Sequence, residues 1–374
     1  MRPVHSTLLC TCLIPMMLSG CSGGSSDSDD RLRGQVTPNG IRGLSYQTAS
    51  QTGVTDNDGS FRYYPGESLQ ISVGDLQLVS GVPASDIVTP LEFLPEVRAQ
   101  LASPALNDEG LLDHRLTEQA LLEDTTLMNM TRFLLSLNWE VTVQDDETLE
   151  IRDRVLEQLN DALPELDAAI DFAVSASEFE ASSEAGRSPA NQLLEKICFF
   201  EEDDDRCDEP PTQAEIDAAP ERPDDDDDID PDIEYREDLI SKRNRILGGQ
   251  RQLDDVDLDA AKAYLTRELD AATRLHANRY TLTPETAAYP ATDTGIKQVR
   301  VRKIGGGLAL GALEAVSLRD ADVAIHSYDW QSGTVEYFIN GEAGGESDVL
   351  VNFQPEDDYR WIRKQLRVII EEYG

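Results

Sequence analysis

Histidine, tryptophan and basic residues are scarce in this chain. Four His and three Trp occur in 374 residues. One of the four, His5, lies in a segment expected to be removed. Little material remains for imidazole catalysis or for a His-based zinc site. Lys and Arg number 32 against 72 Asp and Glu, a formal charge of −40. Such a surface repels a phosphate backbone, which excludes nucleic-acid binding as the main role. It also argues against docking on anionic lipid through a basic patch. No apolar run reaches the roughly 20 residues that a spanning helix needs. Nucleotide loops are missing too. Gly305-Gly306-Gly307 is followed by Gly311, but Leu310 stands where the dinucleotide pattern needs its third Gly, and no Gly-Lys-Ser/Thr ending follows. A glycine bend fits better. The one Gly-x-Ser-x-Gly match, Gly20 to Gly24, has no strand before it and no helix after it, so it is not a nucleophile elbow. Carboxylates are so many that pairs of them carry no weight for glycosidase chemistry.

What is present starts with an address. Met1-Arg2 is a short basic start, and an apolar stretch from about Leu8 to Leu18 follows. It fits the apolar part of a secretory signal. It ends in Leu18-Ser19-Gly20-Cys21, which resembles the lipobox of bacterial lipoproteins. The resemblance implies cleavage before Cys21 and lipidation of its sulfur and new amino terminus. Ser22, not an aspartate, follows Cys21, and the resemblance then implies export to the outer membrane, facing periplasm or cell surface. The other reading is an ordinary signal peptide with an incidental cysteine. Several acyl chains on one residue anchor firmly, since each buried methylene contributes about 0.8 kcal/mol. Residues 22–30 are small, polar and acidic, a flexible tether continuing to about residue 31.

Cysteine usage agrees with export. Cys10 and Cys12 leave with the signal (residues 1–20) and Cys21 carries lipid, so Cys198 and Cys207 remain as an even pair. The expectation is a disulfide that closes a short acidic loop. Two free thiols or a metal site are the alternatives. No His or third Cys lies nearby to complete a zinc set.

The fold class read from the pattern is α+β. Between residues 32 and 85, short apolar runs alternate with turn residues, as in a small antiparallel β-sandwich. Asp58-Gly59 marks a hairpin. Gly43-Leu44-Ser45-Tyr46, the string Gly53 to Tyr63, Pro65-Gly66-Glu67, Val73-Gly74-Asp75 and Val88-Thr89-Pro90 carry a further likeness. Together with the follow-on Asn129 to Asn138, they resemble the carboxypeptidase-regulatory-like, transthyretin-like β-sandwich of many bacterial surface lipoproteins. The resemblance covers roughly residues 34 to 140 and implies a fold, not an activity. Asp56-Asn57-Asp58-Gly59 suggests a calcium loop, but Pro65 occupies the place of the acidic ligand and Glu67 comes too late. It reads as a turn.

Residues 86–200 read as helical. Pro90 opens one helix and Pro95 should kink or restart it. A second is expected from about Asp113 to Leu137, with Met128 and Met130 in the core. A third starts near Thr148 as its cap and breaks at Pro164. A fourth spans Pro189 to Phe200. Residues 201–234 form a low-complexity acidic loop; twenty acidic residues face three Arg between Glu201 and Asp238. The reading is a mobile excursion pinned at one end by the disulfide. Its centre, Asp224, Asp225, Asp226, Asp227 and Asp228, is the one candidate for weak calcium capture, since clustered carboxylates suit hard cations. The competing reading is a solvated charge run, and no other cofactor is expected. Residues 235–280 form a helical pair, with His276 as a surface His near a helix terminus. From 295 to 374 the period changes to two, giving an antiparallel sheet with Trp330 and Phe338 near a rim. A closing amphipathic helix, Pro355 to Tyr373, is expected to cover it, with Tyr359, Ile362, Leu366, Ile369 and Ile370 on one face.

The functional expectation is a lipid-anchored envelope lipoprotein with a binding, structural or surface-interaction role. Its partners would be the membrane, through the lipid, and an envelope protein or surface ligand, with no nucleic acid. The alternatives are a periplasmic accessory of a transport system for hydrophobic solutes and an envelope-polymer hydrolase.

Overall fold

The computed structural model describes residues 30–183, 186–225 and 229–372. Cys21 and Asp226 to Asp228 lie outside them. The architecture is mixed α+β: among the described residues, two groups of strands, over 32–88 and 280–371, flank a mostly helical middle that also holds the short strands Ala105–Leu106, Leu112–Asp113 and Leu149–Glu150. Near the amino terminus, Thr52–Val54, Leu44–Gln47, Ser68–Val73 and Leu76–Pro83 form an antiparallel sheet in that order. A second sheet orders Ser60–Tyr63, Leu32–Val36 and Ile87–Val88, the last pair parallel. Alternation decides the faces: Leu69, Ile71 and Val73 point inward along one strand. At Asp56 to Gly59 the turn reading holds. The Asp56 carboxylate accepts from the backbone N–H of Asp58 and Ser60, at 3.0 and 2.9 Å, and Gly59 takes a φ of +71°.

These strands do not own a separate core. Val36, Leu44, Phe61 and Ile71 pack in the same apolar cluster as Leu127, Phe133, Leu193 and Leu265 from the helices. Gly43 shows how tight the joint is. Its φ is +91°, and a Cβ there would collide with the Ile151 carbonyl oxygen.

Several helical expectations shift. The helix expected over Asp113 to Leu137 is two, His114–Leu121 and Thr125–Ser136. Asp124 ends the run by capping the second helix, accepting from Leu127 N. Met128 and Met130 are core, as expected. Thr148 is not a cap. Leu149–Glu150 is a short strand parallel to Ile41–Arg42, the Thr148 hydroxyl donates to Asn39 O, and the helix starts at Asp153. The neighbouring strand supplies partners that a lone peptide lacks. Pro95 restarts a helix, Pro95–Leu101, and Leu163–Glu165 tightens to a 3-10 turn at Pro164. The helix expected to reach Phe200 covers Pro189–Leu194.

The acidic segment is a correction in its described part. It contains the turn Asp205–Cys207 and the helix Gln213–Ala218. Thr212 and Glu215 form a capping box there, and Ile216 is buried. Arg236 pairs with Glu221 and Lys242 with Asp208, so helix Arg236–Leu247 adds cations to the few that the acidic run carries.

Beyond helix Leu258–Ala277 the chain makes two four-stranded sheets. One orders Tyr280–Thr283, Lys297–Lys303, Thr334–Ile339 and Val323–Asp329; the other Thr286–Pro290, Ile362–Glu371, Glu346–Pro355 and Leu310–Ser317. Val299, Val335 and Tyr337 from the first meet Val351, Phe353, Leu366 and Val368 from the second in a core of their own. Phe338 is half-buried against His326 and Trp330 is exposed.

The closing helix is the clearest correction. Ile362–Glu371 is a strand, antiparallel to Glu346–Pro355 and parallel to Thr286–Pro290. Ile362, Leu366 and Ile370 lie four apart, a spacing that shares a face in either a helix or a strand. Val368, buried between Leu366 and Ile370, belongs to the strand period alone. The strands Tyr280–Thr283 and Thr286–Pro290 escape the sequence reading, since too few residues separate them for periodicity to register.

Candidate functional site

Two places gather chemistry-bearing side chains. The first is the loop closed by Cys198 and Cys207, whose sulfurs are bonded at 2.07 Å. Inside it, Arg206 reaches back to Asp204 through Nε (2.8 Å) and Nη2 (2.5 Å) and stacks on Phe200, its guanidinium 3.5 Å from the ring centre. The hydrogen bonds from Arg206 hold the half-buried Asp204 carboxyl down at about 2. Arg251 lies 3.7 Å above Phe199, and Arg154 donates to Phe200 O at 2.8 Å. A cleft of about 500 Å³ runs beside the loop, between Trp139 and Gly248-Gly249. Further along, Asp224 and Asp225 are exposed at a bend. Among the described residues, no group of three or more His, Cys, Asp or Glu side chains is placed to hold a metal ion.

The second place is where the two apolar cores meet. It is built by helix His114–Leu121, the carboxyl end of helix Leu258–Ala277, the 3-10 turn Pro90–Glu92, and the segment Asp358 to Trp361 that leads into the last strand. None of its members was a site candidate in the sequence. His114 is held at both ring nitrogens. Nδ1 accepts the Trp361 N–H at 3.0 Å, which leaves the proton on Nε2 to donate to Thr273 Oγ1 at 3.0 Å. Burial, with Arg360 nearby, depresses its pKa to about 3, so the ring is neutral at ordinary pH. The Tyr359 hydroxyl donates to Glu118 Oε1 at 2.7 Å. Burial pushes Glu118 up to about 7 although Arg360 opposes the shift. Asp358 is different. Burial raises it, but Arg360 (3.1 Å) and His276 (Nδ1 3.0 Å away) outweigh burial and hold it well below the usual carboxylate range. Glu92 accepts from Thr89 N at 2.6 Å and from Thr89 Oγ1 at 2.7 Å, and lies 3.8 Å from Arg360 Nη2.

Arg360 is the hub. It is 1% exposed, its guanidinium lies 4.3 Å from the centre of the Tyr359 ring, and Nε and Nη2 have no hydrogen-bond partner among the described residues. His276, expected at the surface, is 6% exposed. One signal pointed to it. Leu265, Leu269, Ala272 and His276 fall on one helical stripe, and that stripe is buried.

These geometries favour a joint over a reacting centre. Both nitrogens of His114 are spent on Trp361 and Thr273, so neither is free to take a substrate proton. Tyr359 and Glu118 satisfy each other, tying the carboxyl-terminal segment to the helix below. Beside the joint lies a half-open recess of about 210 Å³. Pro83, Ile87 and Leu101 make its apolar wall, and Arg98 and Asp357 lie on its polar side. Compared with known proteins, the chain matches no family model and no curated protein.

Proposed function

We propose that this chain is a lipid-anchored protein of the bacterial outer membrane with a non-enzymatic binding or structural role. The observation that carries the reading is Leu18-Ser19-Gly20-Cys21 at the end of an apolar stretch, followed by a small, polar tether. The disulfide Cys198–Cys207 supports it, because such bonds persist in oxidising compartments outside the cytosol. So does the junction, where titratable side chains engage one another and hold two cores together. In this reading the two amino-terminal sheets are the transthyretin-like β-sandwich that the sequence resembles, standing nearest the lipid. The carboxyl-terminal sheets present the surface to an envelope partner.

Mass spectrometry of the full chain recovered from a bacterial membrane tests the reading. The expected amino-terminal peptide begins at Cys21 and carries acyl groups. A Cys21→Ser chain is expected in the soluble fraction or still bearing its signal. An unmodified Cys21 in the membrane-derived protein overturns the proposal.

A further inference from the structure

We propose that the recess beside the junction binds a small zwitterion, a free amino acid with an apolar side chain. Three separate parts of the fold build it: the loop Ser85 to Ile87, helix Pro95–Leu101, and the segment Asp357 to Arg360. At about 210 Å³ it falls below the roughly 300–1,000 Å³ of sites that take drug-sized molecules. Its charges decide the ligand class. Most charged groups near it are already matched. Asp86 pairs with Arg279, and Arg360 with Asp358 and Glu92. Two are not. Arg98 gives Nη1 to the carbonyls of Glu92 and Phe93 and one Nη2 proton to that of Gly81, which leaves Nε and the other Nη2 proton to donate, and it has no carboxylate within ion-pair distance among the described residues. Asp357 is exposed and makes no hydrogen bond or ion pair among them. Both line the recess, yet they do not bridge each other.

A guanidinium and a carboxylate on one recess, each without an opposite charge, match a molecule that carries both charges. The ligand carboxylate goes to Arg98 and its ammonium to Asp357. Between them Pro83, Ile87 and Leu101 offer an apolar wall to the side chain. A simple anion or cation would satisfy one partner and leave the other bare. This names a ligand class for the binding role proposed above, but it does not depend on Cys21, and the Cys21→Ser chain is expected to bind equally well.

Calorimetry on the full chain in detergent tests it, with L-alanine, L-leucine and L-phenylalanine as probes and N-acetyl-L-leucine and L-leucinamide as their singly charged counterparts. The expected result is that leucine binds with a Kd of about 1 mM or tighter and that each capped analogue binds at least about tenfold more weakly. Asp357→Asn is expected to weaken leucine about tenfold. Ala102→Trp, at an exposed position on the recess wall, is expected to abolish binding with the melting temperature unchanged. No heat from any of the three amino acids at about ten times that Kd, or equal binding by the capped forms, overturns the proposal. So does undiminished binding by a folded Ala102→Trp chain. If the Cys21→Ser chain binds leucine while Cys21 proves unmodified, the anchor fails and the recess stands.

Discussion

Arg206 and Arg360 each follow an aspartate by two residues, and each guanidinium reaches back to it. The local geometry is nearly the same. Asp204 Oδ1 accepts from the Arg206 backbone N–H at 3.0 Å, and Asp358 Oδ1 from that of Arg360 at 3.1 Å. Each arginine also lies over an aromatic ring, Phe200 in one case and Tyr359 in the other. What differs is water. The first pair sits half-buried in the disulfide loop, with side chains 37% and 24% exposed, where water still reaches and screens the charges and the ion pair contributes little. The second is buried between two cores, with side chains 2% and 9% exposed. There, removing one partner strands the other in a poor dielectric. One dipeptide spacing thus serves as a surface clasp in one place and as an obligatory tie in the other.

The contrast sets an order of effects. Arg360→Met leaves Glu92 buried without its cation and Asp358 with His276 alone, and urea denaturation is expected to register a loss of about 3–5 kcal/mol. A loss no larger than a typical surface substitution would erase the distinction between the two pairs. Next comes Glu118, whose folded pKa near 7 lies above its unfolded value. Its contribution is present in full below the unfolded pKa and is lost as pH rises through 7. Arg360, Arg115, His114, Tyr359 and Glu92 face it and stay in place in the variant. Stability measured from pH 4.5 to 8 is therefore expected to fall for the wild type relative to Glu118→Gln, by about 2–3 kcal/mol over the window. Parallel curves would mean that Glu118 titrates normally.

On the loop side the covalent tie outweighs the ionic one. Closing a ten-residue loop is worth about 2–3 kcal/mol through the unfolded chain, so Cys198→Ser with Cys207→Ser is expected to cost that much. The smallest effect belongs to Asp204→Asn. It is expected to leave the urea midpoint unmoved with the disulfide intact, and a clear shift would show that the loop relies on its ion pair after all.

The turn at Asp56 to Gly59, the period-two strands beyond residue 295 and the presence of helices between 235 and 280 were legible because each depends on its own few residues, although the caps and ends of those helices were not. The last strand was not. Ile362, Leu366 and Ile370 satisfy two periods at once, and the choice fell to Glu346–Pro355 and Thr286–Pro290, which offer it a hydrogen-bonding edge on either side. Of the site residues, Cys198 and Cys207 could be paired by count. His114, Glu118, Tyr359 and Arg360 could not, because about 240 positions separate the members of the closest contacts and no local pattern records such a meeting.

By itself, then, the order of amino acids determined composition-level and short-range matters: an acidic surface, an even cysteine pair, turns where glycine or asparagine sits, and strands and helices wherever one period excluded the other. Only the tertiary structure decided which charges would lose their water. Burial is a property of what the rest of the chain places around a side chain. Asp204 and Asp358 read alike in sequence and carry different energies in the folded protein.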